Sequence, residues 1–278
     1  MKSNVTKILV FILALAVGNV AHSADVNIPD PNLEKLIRKI LERKQIKKEK
    51  ISDEDLQTIY FLHGNKLGIK DLTGLENCWN LAEVRLAGNE IENVAPLAKC
   101  ENIQSLDMAK NKIKDITPLG KLKKLQYLNL EENQIDSIQA VSELNALSAL
   151  YLDDNKIRCL APVTDLPKLS TLRVSHNEIR DVQPVSTLRW LSTLGVANNK
   201  VKNVRALEPL TELRWTFLQG NEIKDISPLA RMAKKDAAGK KRFAPFWNLY
   251  VGDNPLEKAD AHLSELKEIG VRLNTEKK

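Results

Sequence analysis

The sequence predicts an α/β solenoid, a right-handed horseshoe with a parallel sheet on its concave side and a cap at each end. Two observations carry this prediction. One short pattern of apolar residues and asparagine returns every 22 residues through most of the chain, and the pattern breaks near both termini. A single unit of this kind cannot bury its apolar face alone, so the units must stack and be covered at both ends.

The repeating unit has the spacing L-x-x-L-x-L-x-x-N, as in Leu125, Leu128, Leu130 and Asn133. The same frame starts again at Leu81, Ile103, Leu147, Leu169, Leu191 and Leu213. Apolar residues at period two predict a short strand with one buried face, and stacking places each strand beside its equivalent one repeat away. This spacing is the leucine-rich repeat signature.

An asparagine ends each predicted strand and turns into the core. Its amide both donates and accepts hydrogen bonds, so it can satisfy backbone groups that the turn would otherwise leave unpaired. The asparagines of this ladder are Asn89, Asn111, Asn133, Asn155, Asn177, Asn199, Asn221 and Asn254. A repeat of 22 residues is too short for a full convex helix. We therefore expect 3₁₀ or extended segments there, fixed by the recurrent prolines.

Residues 1–23 have the features of a secretory signal peptide. Lys2 and Lys7 form a charged start, residues 8–17 are apolar, and small residues near Ser23 suit a cleavage site. The apolar run is too short to span a bilayer comfortably, and a retained anchor helix is the less favoured alternative. We therefore expect a secreted protein or one of the periplasm or cell envelope, with no stable membrane insertion once the signal is removed.

Residues 24–80 are predicted to form a helical cap and a degenerate first repeat. A helix opens after Asp30, with Leu33, Ile37 and Leu41 on one face, and Ser52 starts a second helix with a capping box. The coil that follows has Leu67 in place of the ladder asparagine, as expected where the stack begins.

The leucine-rich repeats are predicted over 81–256, with an insertion at 233–243, and a C-terminal cap over 257–278. The insertion is basic, which fits either a solvated loop or a contact for an acidic partner. After it, Phe246, Leu249 and Val251 are expected to bury their side chains in a last coil. A short helix over 259–269 and an edge strand near Leu273 are expected to close the solenoid.

The helical cap, the stretch LGIKDLTGLENC and repeats ending in NKIKDITPL resemble the internalin-type bacterial leucine-rich repeat proteins, over roughly residues 27 to 230. The resemblance implies a secreted or surface-displayed protein without enzymatic activity that binds a partner on its concave face. The sequence shows no Ig-like domain after the repeats and no wall-anchoring motif. These two departures disfavour a role in host invasion.

The composition and the motifs exclude several other classes. The net charge is +6 and the charged residues, 28% of the chain, are of both signs and well mixed. A nucleic-acid-binding protein needs a clustered basic stripe, so we expect no nucleic-acid partner. His63, His176 and His262 lie far apart along the repeats, without a nucleophile or ligand at motif spacing. We therefore expect no catalytic residues, no metal site and no cofactor.

Cys78 and Cys100 occupy the same repeat position one period apart, so stacking makes them core neighbours. In an oxidising compartment they could form a disulfide, and the alternative is two buried thiols that act as small apolar residues. The family pattern has an apolar residue there, which favours the thiols. Cys159 lies at a convex position and could be free or pair between molecules.

The concave face is where the pattern places the candidate binding residues, because the third, fifth and seventh residues of each frame point away from the core. Two clusters are expected. Tyr127 and Tyr151 lie beside Glu131 and Asp153, with Arg173 on the next repeat. The second cluster consists of Trp215, Phe217 and Tyr250. Exposed aromatic residues on a sheet are typical of interface anchors, and the mixture with acidic residues favours a protein or peptide ligand.

Three alternatives remain open at this stage. The C-terminal aromatic residues could pack under the insertion or the cap instead of binding a partner. The protein could be a self-associating structural component of the cell envelope, using its aromatic C-terminal coil or Cys159. It also resembles the 22-residue-repeat regulators of protein phosphatase 1, but these act inside cells, which the signal peptide disfavours.

Overall fold

The computed structural model describes residues 24–276, so the predicted signal peptide lies outside the described residues. These residues form one open sheet of ten parallel strands in sequential order, one strand per coil. The strands are β1 (Phe61–His63), β2 (Glu83–Arg85), β3 (Ser105–Asp107), β4 (Tyr127–Asn129), β5 (Ala149–Tyr151), β6 (Thr171–Arg173), β7 (Thr193–Gly195), β8 (Trp215–Phe217), β9 (Asn248–Tyr250) and β10 (Arg272–Asn274).

The repeat spacing sets the register of the sheet. Leu128 of β4 pairs with Leu150 of β5, which pairs with Leu172 of β6. All three side chains are fully buried and stack along the solenoid axis. Short 3₁₀ turns form the opposite wall, as the repeat length predicts. They cover Leu75–Asn77, Ala95–Lys99, Thr117–Lys121, Gln139–Glu143, Ala161–Val163, Gln183–Thr187, Arg205–Leu207 and Ala244–Phe246.

The asparagine ladder connects each coil to the coil before it. In Asn133, Nδ2 donates to Met108 O of the preceding coil at 3.1 Å and to Leu130 O of its own coil at 3.0 Å. Its Oδ1 accepts from Ile113 N at 3.0 Å. One amide therefore satisfies backbone groups of two coils, as the pattern predicted.

A left-handed residue precedes each ladder asparagine from the second coil onward, which the sequence pattern does not reveal. The φ angle is 58° at Lys110, 53° at Glu132 and 57° at Asp154. Glycine takes this position in two coils, at Gly88 and Gly220. The left-handed residue turns the chain so that the asparagine enters the core, and most coils accept the steric cost of a Cβ there.

The N-terminal cap contains the two predicted helices, α1 (Pro31–Arg43) and α2 (Asp53–Gln57). Leu33, Ile37 and Leu41 are the buried face of α1. The capping box at Ser52 is present, because the Ser52 side chain accepts from Asp55 N and the Asp55 carboxylate accepts from Ser52 N.

The insertion differs from the solvated loop that its composition suggested. Its first half continues the convex turn as a helix, α3 (Ser227–Ala238), which packs against the C-terminal helix α4 (Asp260–Ile269). Asp236 holds the turn that follows, because its carboxylate accepts from the backbone N–H of Arg242, Phe243 and Ala244. Alanines at 230 and 233 let the helix approach the core closely, and both are buried.

The last coil also corrects one expected core residue. Phe246 is 51% exposed, and Trp247 is fully buried in its place. Trp247 Nε1 donates to Thr216 Oγ1 at 2.8 Å, and its ring meets Phe243 edge-on at 5.5 Å between centroids. Thr216 stands at a strand position where other coils have an apolar residue. The hydrogen bond therefore explains both the threonine at this position and the burial of Trp247 in place of Phe246.

Cys78 and Cys100 are buried and not joined to each other, so the disulfide that the spacing allowed is not formed. The Cys100 thiol donates to Leu75 O at 3.1 Å. Burial raises the pKa of the Cys100 thiol to about 12 and also raises that of Cys78, which keeps both thiols protonated. Cys159 is exposed and unpaired.

None of the helices described between residues 24 and 276 has the length and hydrophobicity that a bilayer crossing requires.

Candidate binding face on the concave sheet

The strands project their third and fifth frame residues from the concave face, because side chains alternate across a strand and the intervening residue is buried. The fifth frame residues form a row across the sheet, in which Asn129, Tyr151 and Arg173 stand on successive strands. The row continues through Gly195 to Phe217, and Tyr250 follows on β9. The two predicted clusters therefore lie on one continuous face, separated by the strand that carries Gly195.

The C-terminal aromatic cluster is a stack of three rings. Trp215 and Phe217 have ring centroids 6.3 Å apart and planes 10° apart, and Phe217 and Tyr250 are 4.8 Å and 24° apart. Trp215 is 43% exposed, and the other two are half-buried. The insertion buries a different aromatic residue, Phe243, which packs on Trp247. Trp215 remains exposed to solvent.

Tyr127 and Tyr151 form the aromatic part of the second cluster. Their ring centroids are 5.4 Å apart with the planes tilted by 42°, and both residues are half-buried. Burial, and then the negative charge of Asp107, raise the pKa of the Tyr127 hydroxyl. Both effects disfavour a further negative charge, so the tyrosine stays a neutral hydrogen-bonding group.

Asp153 does not have the exposed position that the frame suggested. It is 5% exposed, and its Oδ1 accepts from Ser175 N at 2.6 Å. Its Oδ2 accepts from Arg173 Nε at 2.8 Å and from Arg173 Nη2 at 2.5 Å. The carboxylate is therefore occupied by the protein itself. It orients Arg173, whose side chain remains 43% exposed and can reach a ligand.

Glu131 is the acidic residue that faces this part of the sheet. Partial burial is the main cause that raises the pKa of its carboxyl, and the Asp153 carboxylate adds to the effect. Arg173 acts in the opposite direction. The negative charge of ionised Glu131 is thus only partly balanced by the protein, and a cation on a ligand would stabilise it.

Two features of the concave face were not identified from the sequence as parts of a site. At its N-terminal end, the Glu83 carboxylate contacts both His63, at 2.9 Å, and Arg85, at 2.6 Å. Near the aromatic stack, Gln219 Oε1 is buried without a hydrogen-bond partner in the part of the chain that the structure describes. The repeat spacing places His63 and Arg85 side by side, but it does not show which carboxylate they contact or which amide oxygen lacks a partner.

No group of three or more His, Cys, Asp or Glu side chains among residues 24–276 is arranged to hold a metal ion.

Stacked coils, a parallel concave sheet and an asparagine ladder define the class of fold, which is a leucine-rich repeat solenoid. The family model for leucine-rich repeats, which spans two copies, matches residues 101–146. No curated protein matches the chain.

The solved structures confirm the resemblance to internalin-type proteins. Internalin C2 from Listeria monocytogenes is 28% identical, and the match covers 73% of this chain and 90% of the internalin, with a TM-score of 0.69. The functional domain of InlJ from Listeria monocytogenes, which includes a cysteine ladder, is 24% identical, with 87% and 54% coverage and a TM-score of 0.63.

Like the InlJ domain, a more distant structure shows a likeness of fold alone. The ectodomain of the Arabidopsis thaliana receptor kinase GASSHO1/SCHENGEN3, in complex with CASPARIAN STRIP INTEGRITY FACTOR 2, is 18% identical to this chain. The match covers 77% of this chain and 26% of the receptor, with a TM-score of 0.60.

Proposed function

We propose that this protein is a secreted, non-catalytic binding module that holds a protein or peptide on its concave sheet. The observation that carries the proposal is the pair of aromatic clusters on one continuous face. The C-terminal cluster is a flat stack of rings in which Trp215 is 43% exposed. Aromatic side chains offer a large contact area with little conformational entropy to lose, which is why they dominate interface energetics.

The polar residues between the clusters would set specificity. Arg173 is held in place by Asp153 and offers its remaining donors to a carboxylate or a backbone carbonyl. Glu131 would take a lysine or arginine of the partner. The leucine-rich repeat fold is commonly a protein-interaction module, and the plant ectodomain is an example seen in a complex. The same class of ligand is inferred for this chain from its own concave residues.

Affinity capture tests the proposal. The immobilised protein and a Tyr151→Ala, Trp215→Ala, Phe217→Ala variant are exposed to an envelope extract of the producing organism under non-reducing conditions. A Trp79→Ala, Trp190→Ala variant is the matched control, because both tryptophans are exposed, 50% and 62%, but lie in the turns before β2 and β7. Circular dichroism establishes that all three fold alike.

We expect a protein that the parent and the control retain and that the concave variant loses. Each true anchor should contribute about 2 kcal/mol or more to binding. Equal retention by all three would place the site elsewhere and refute the concave-face proposal. If the only captured protein is this chain itself, in a form that reductant releases, self-association through Cys159 becomes the better account.

A further inference from the structure

A groove lies at the N-terminal end of the solenoid, between α1 and the first strand. It has a volume of about 370 Å³ and is lined by one face of α1 and by residues 60, 61 and 63. Leu36 and Ile40 form a half-buried apolar floor. Tyr60 and Phe61 are 49% and 59% exposed, so two large aromatic side chains stand open beside this floor.

Three cationic side chains surround the groove without a carboxylate to pair with. Lys39, Arg43 and Lys44 line it, no acidic residue does, and none of the three forms an ion pair within residues 24–276. Lys44 Nζ lies over the Tyr60 ring, 5.9 Å from its centroid. Elsewhere, lysines commonly pair between coils, as Lys112 does with Glu90 at 2.9 Å. An apolar groove whose cations lack a carboxylate partner complements a ligand that is both apolar and anionic.

Within residues 24–276, the first strand also offers an unpaired backbone edge at this groove. β1 is the outermost strand of the sheet, with β2 on one side only. Tyr60 O accepts from Glu83 N at 3.2 Å and Gly64 N donates to Arg85 O at 2.8 Å, so these residues face β2. Backbone groups alternate in direction along a strand, and those of Phe61 and His63 therefore face outward.

We propose that this N-terminal groove binds an extended acidic peptide segment, which adds to β1 as a further strand and sets its carboxylates against Lys39, Arg43 and Lys44. Strand addition takes main-chain hydrogen bonds from an open edge and specificity from pockets for alternate side chains, and both are present here. A lipid headgroup or a polysaccharide would use the cations but not the edge, so the geometry favours a peptide.

The occupant is a separate molecule, since the chain's own N-terminal segment lacks the required charge. Residues 1–23 contain two lysines and no aspartate or glutamate. The groove is also distinct from the proposed concave site, whose nearest residue, Tyr127, lies three strands away on β4. Binding at the groove therefore does not depend on binding at the aromatic clusters.

A displayed library of random peptides, selected on the purified protein, tests this inference. The decisive variant is Lys39→Gln, Arg43→Gln, Lys44→Gln, which removes three charges from the groove. Lys235→Gln, Lys240→Gln, Lys241→Gln is the matched control, because it removes three charges at the other end of the solenoid. The concave variant Tyr151→Ala, Trp215→Ala, Phe217→Ala is included to separate the two sites.

We expect peptides with several acidic residues among alternating apolar ones, whose affinity falls about tenfold or more in the groove variant. The control and the concave variant should bind them as the parent does. N-methylation of alternate peptide bonds should weaken binding, because it removes donors to the β1 edge.

Three outcomes would overturn the inference. In the first, the selection yields no peptide whose binding is lost in the groove variant. In the second, the N-methylated peptides bind as well as the unmodified ones. In the third, the control variant loses as much binding as the groove variant. Vesicles containing phosphatidylglycerol form a separate arm. If they bind the parent and not the groove variant while no peptide does, the groove recognises an anionic membrane surface instead.

Discussion

Asn133 shows how much a single side chain contributes to this fold. Its amide makes hydrogen bonds to the backbone of two coils, at Met108 O, Ile113 N and Leu130 O, and it is 9% exposed. In Asn133→Ala these buried groups lose their partner, and water cannot reach them easily. We expect a loss of about 3 kcal/mol in the free energy of unfolding, measured by urea denaturation.

An Asn133→Asp variant serves as the control for shape. It keeps the acceptor for Ile113 N but has no donor for the carbonyl groups of Met108, Leu130 and Glu131, so it should also lose stability. If both variants unfold at the urea concentration of the parent, the ladder contributes nothing beyond packing, and this account of the repeat is wrong.

Glu131 links stability to pH on the concave face. Burial, then Asp153, raise the pKa of its carboxyl above the usual 4.5, so the folded protein holds this proton more tightly than the unfolded chain. The stabilisation is complete below pH 4.5 and is lost as the pH rises through the raised pKa. Glu131→Gln should therefore increase stability slightly at neutral pH.

Denaturation of the parent and of Glu131→Gln across the acid to neutral range checks this prediction. The stability advantage of the variant should develop as the pH rises from 4.5 through the raised pKa of Glu131. A difference of the same size at every pH would mean that the amide packs better, and that ionisation of Glu131 has no part in it.

At the residue scale, the sequence identified which side chains share a face but not which of them stay free. Tyr127, Tyr151 and Arg173 lie where the repeat spacing puts them. Asp153 lies there too, yet the Ser175 backbone and Arg173 occupy its carboxylate. The repeat period predicts the face of the sheet towards which each side chain points. Its hydrogen-bond partners depend on distances between coils, which the sequence pattern does not contain.

Asp30 joins two elements, the cap helix α1 and the first coil. Its Oδ1 accepts from Asn32 N and Leu33 N at the start of α1, and its Oδ2 accepts from Lys70 N at 2.7 Å and Asp71 N at 3.1 Å. Burial alone would raise its pKa, but these four hydrogen bonds outweigh burial, and the pKa is lowered. The stability that they contribute is thus lost as the pH falls through the lowered pKa.

We expect Asp30→Ala to cost about 2 kcal/mol of unfolding free energy at neutral pH and to speed hydrogen exchange in α1 and the first coil. Asp115→Ala is the control, since the hydrogen bonds of Asp115 are local ones to Thr117, whose backbone N lies 2.8 Å from Asp115 Oδ1. Equal effects of the two variants would show that Asp30 acts as a local turn residue and not as a connection between cap and coil.

At the element scale, the predictions that succeeded have local signals. Asp30 and Ser52 start α1 and α2, and apolar periodicity places their buried faces. The insertion lacks such a signal, because its basic residues suit a loop and a solvated helix face equally. Its helix forms through contacts with α4, which lies more than 20 residues further along the chain. The exchange of Phe246 for Trp247 has the same origin, since Thr216 is 31 residues away.

At the scale of the whole molecule, each coil contacts its neighbours in sequence, and the ten strands follow chain order without a crossover. Stability in such a stack is close to a sum of the coils and the interfaces between them. A substitution that destabilises one coil should therefore lower the local stability of adjacent coils, and the effect should decrease with distance. In a globular domain with one shared core, the effect would extend through the whole domain.

Leu150→Ala tests this property, because Leu150 is fully buried and pairs with Leu128 on one side and Leu172 on the other. The cavity should cost about 3 kcal/mol. Hydrogen exchange measured by mass spectrometry should rise most in β4, β5 and β6 and least in β9 and β10. The matched Leu249→Ala variant in β9 should give the opposite gradient, with the N-terminal coils unaffected. If both variants raise exchange uniformly along the chain, the solenoid unfolds as one cooperative unit, and its caps matter more than its individual coils.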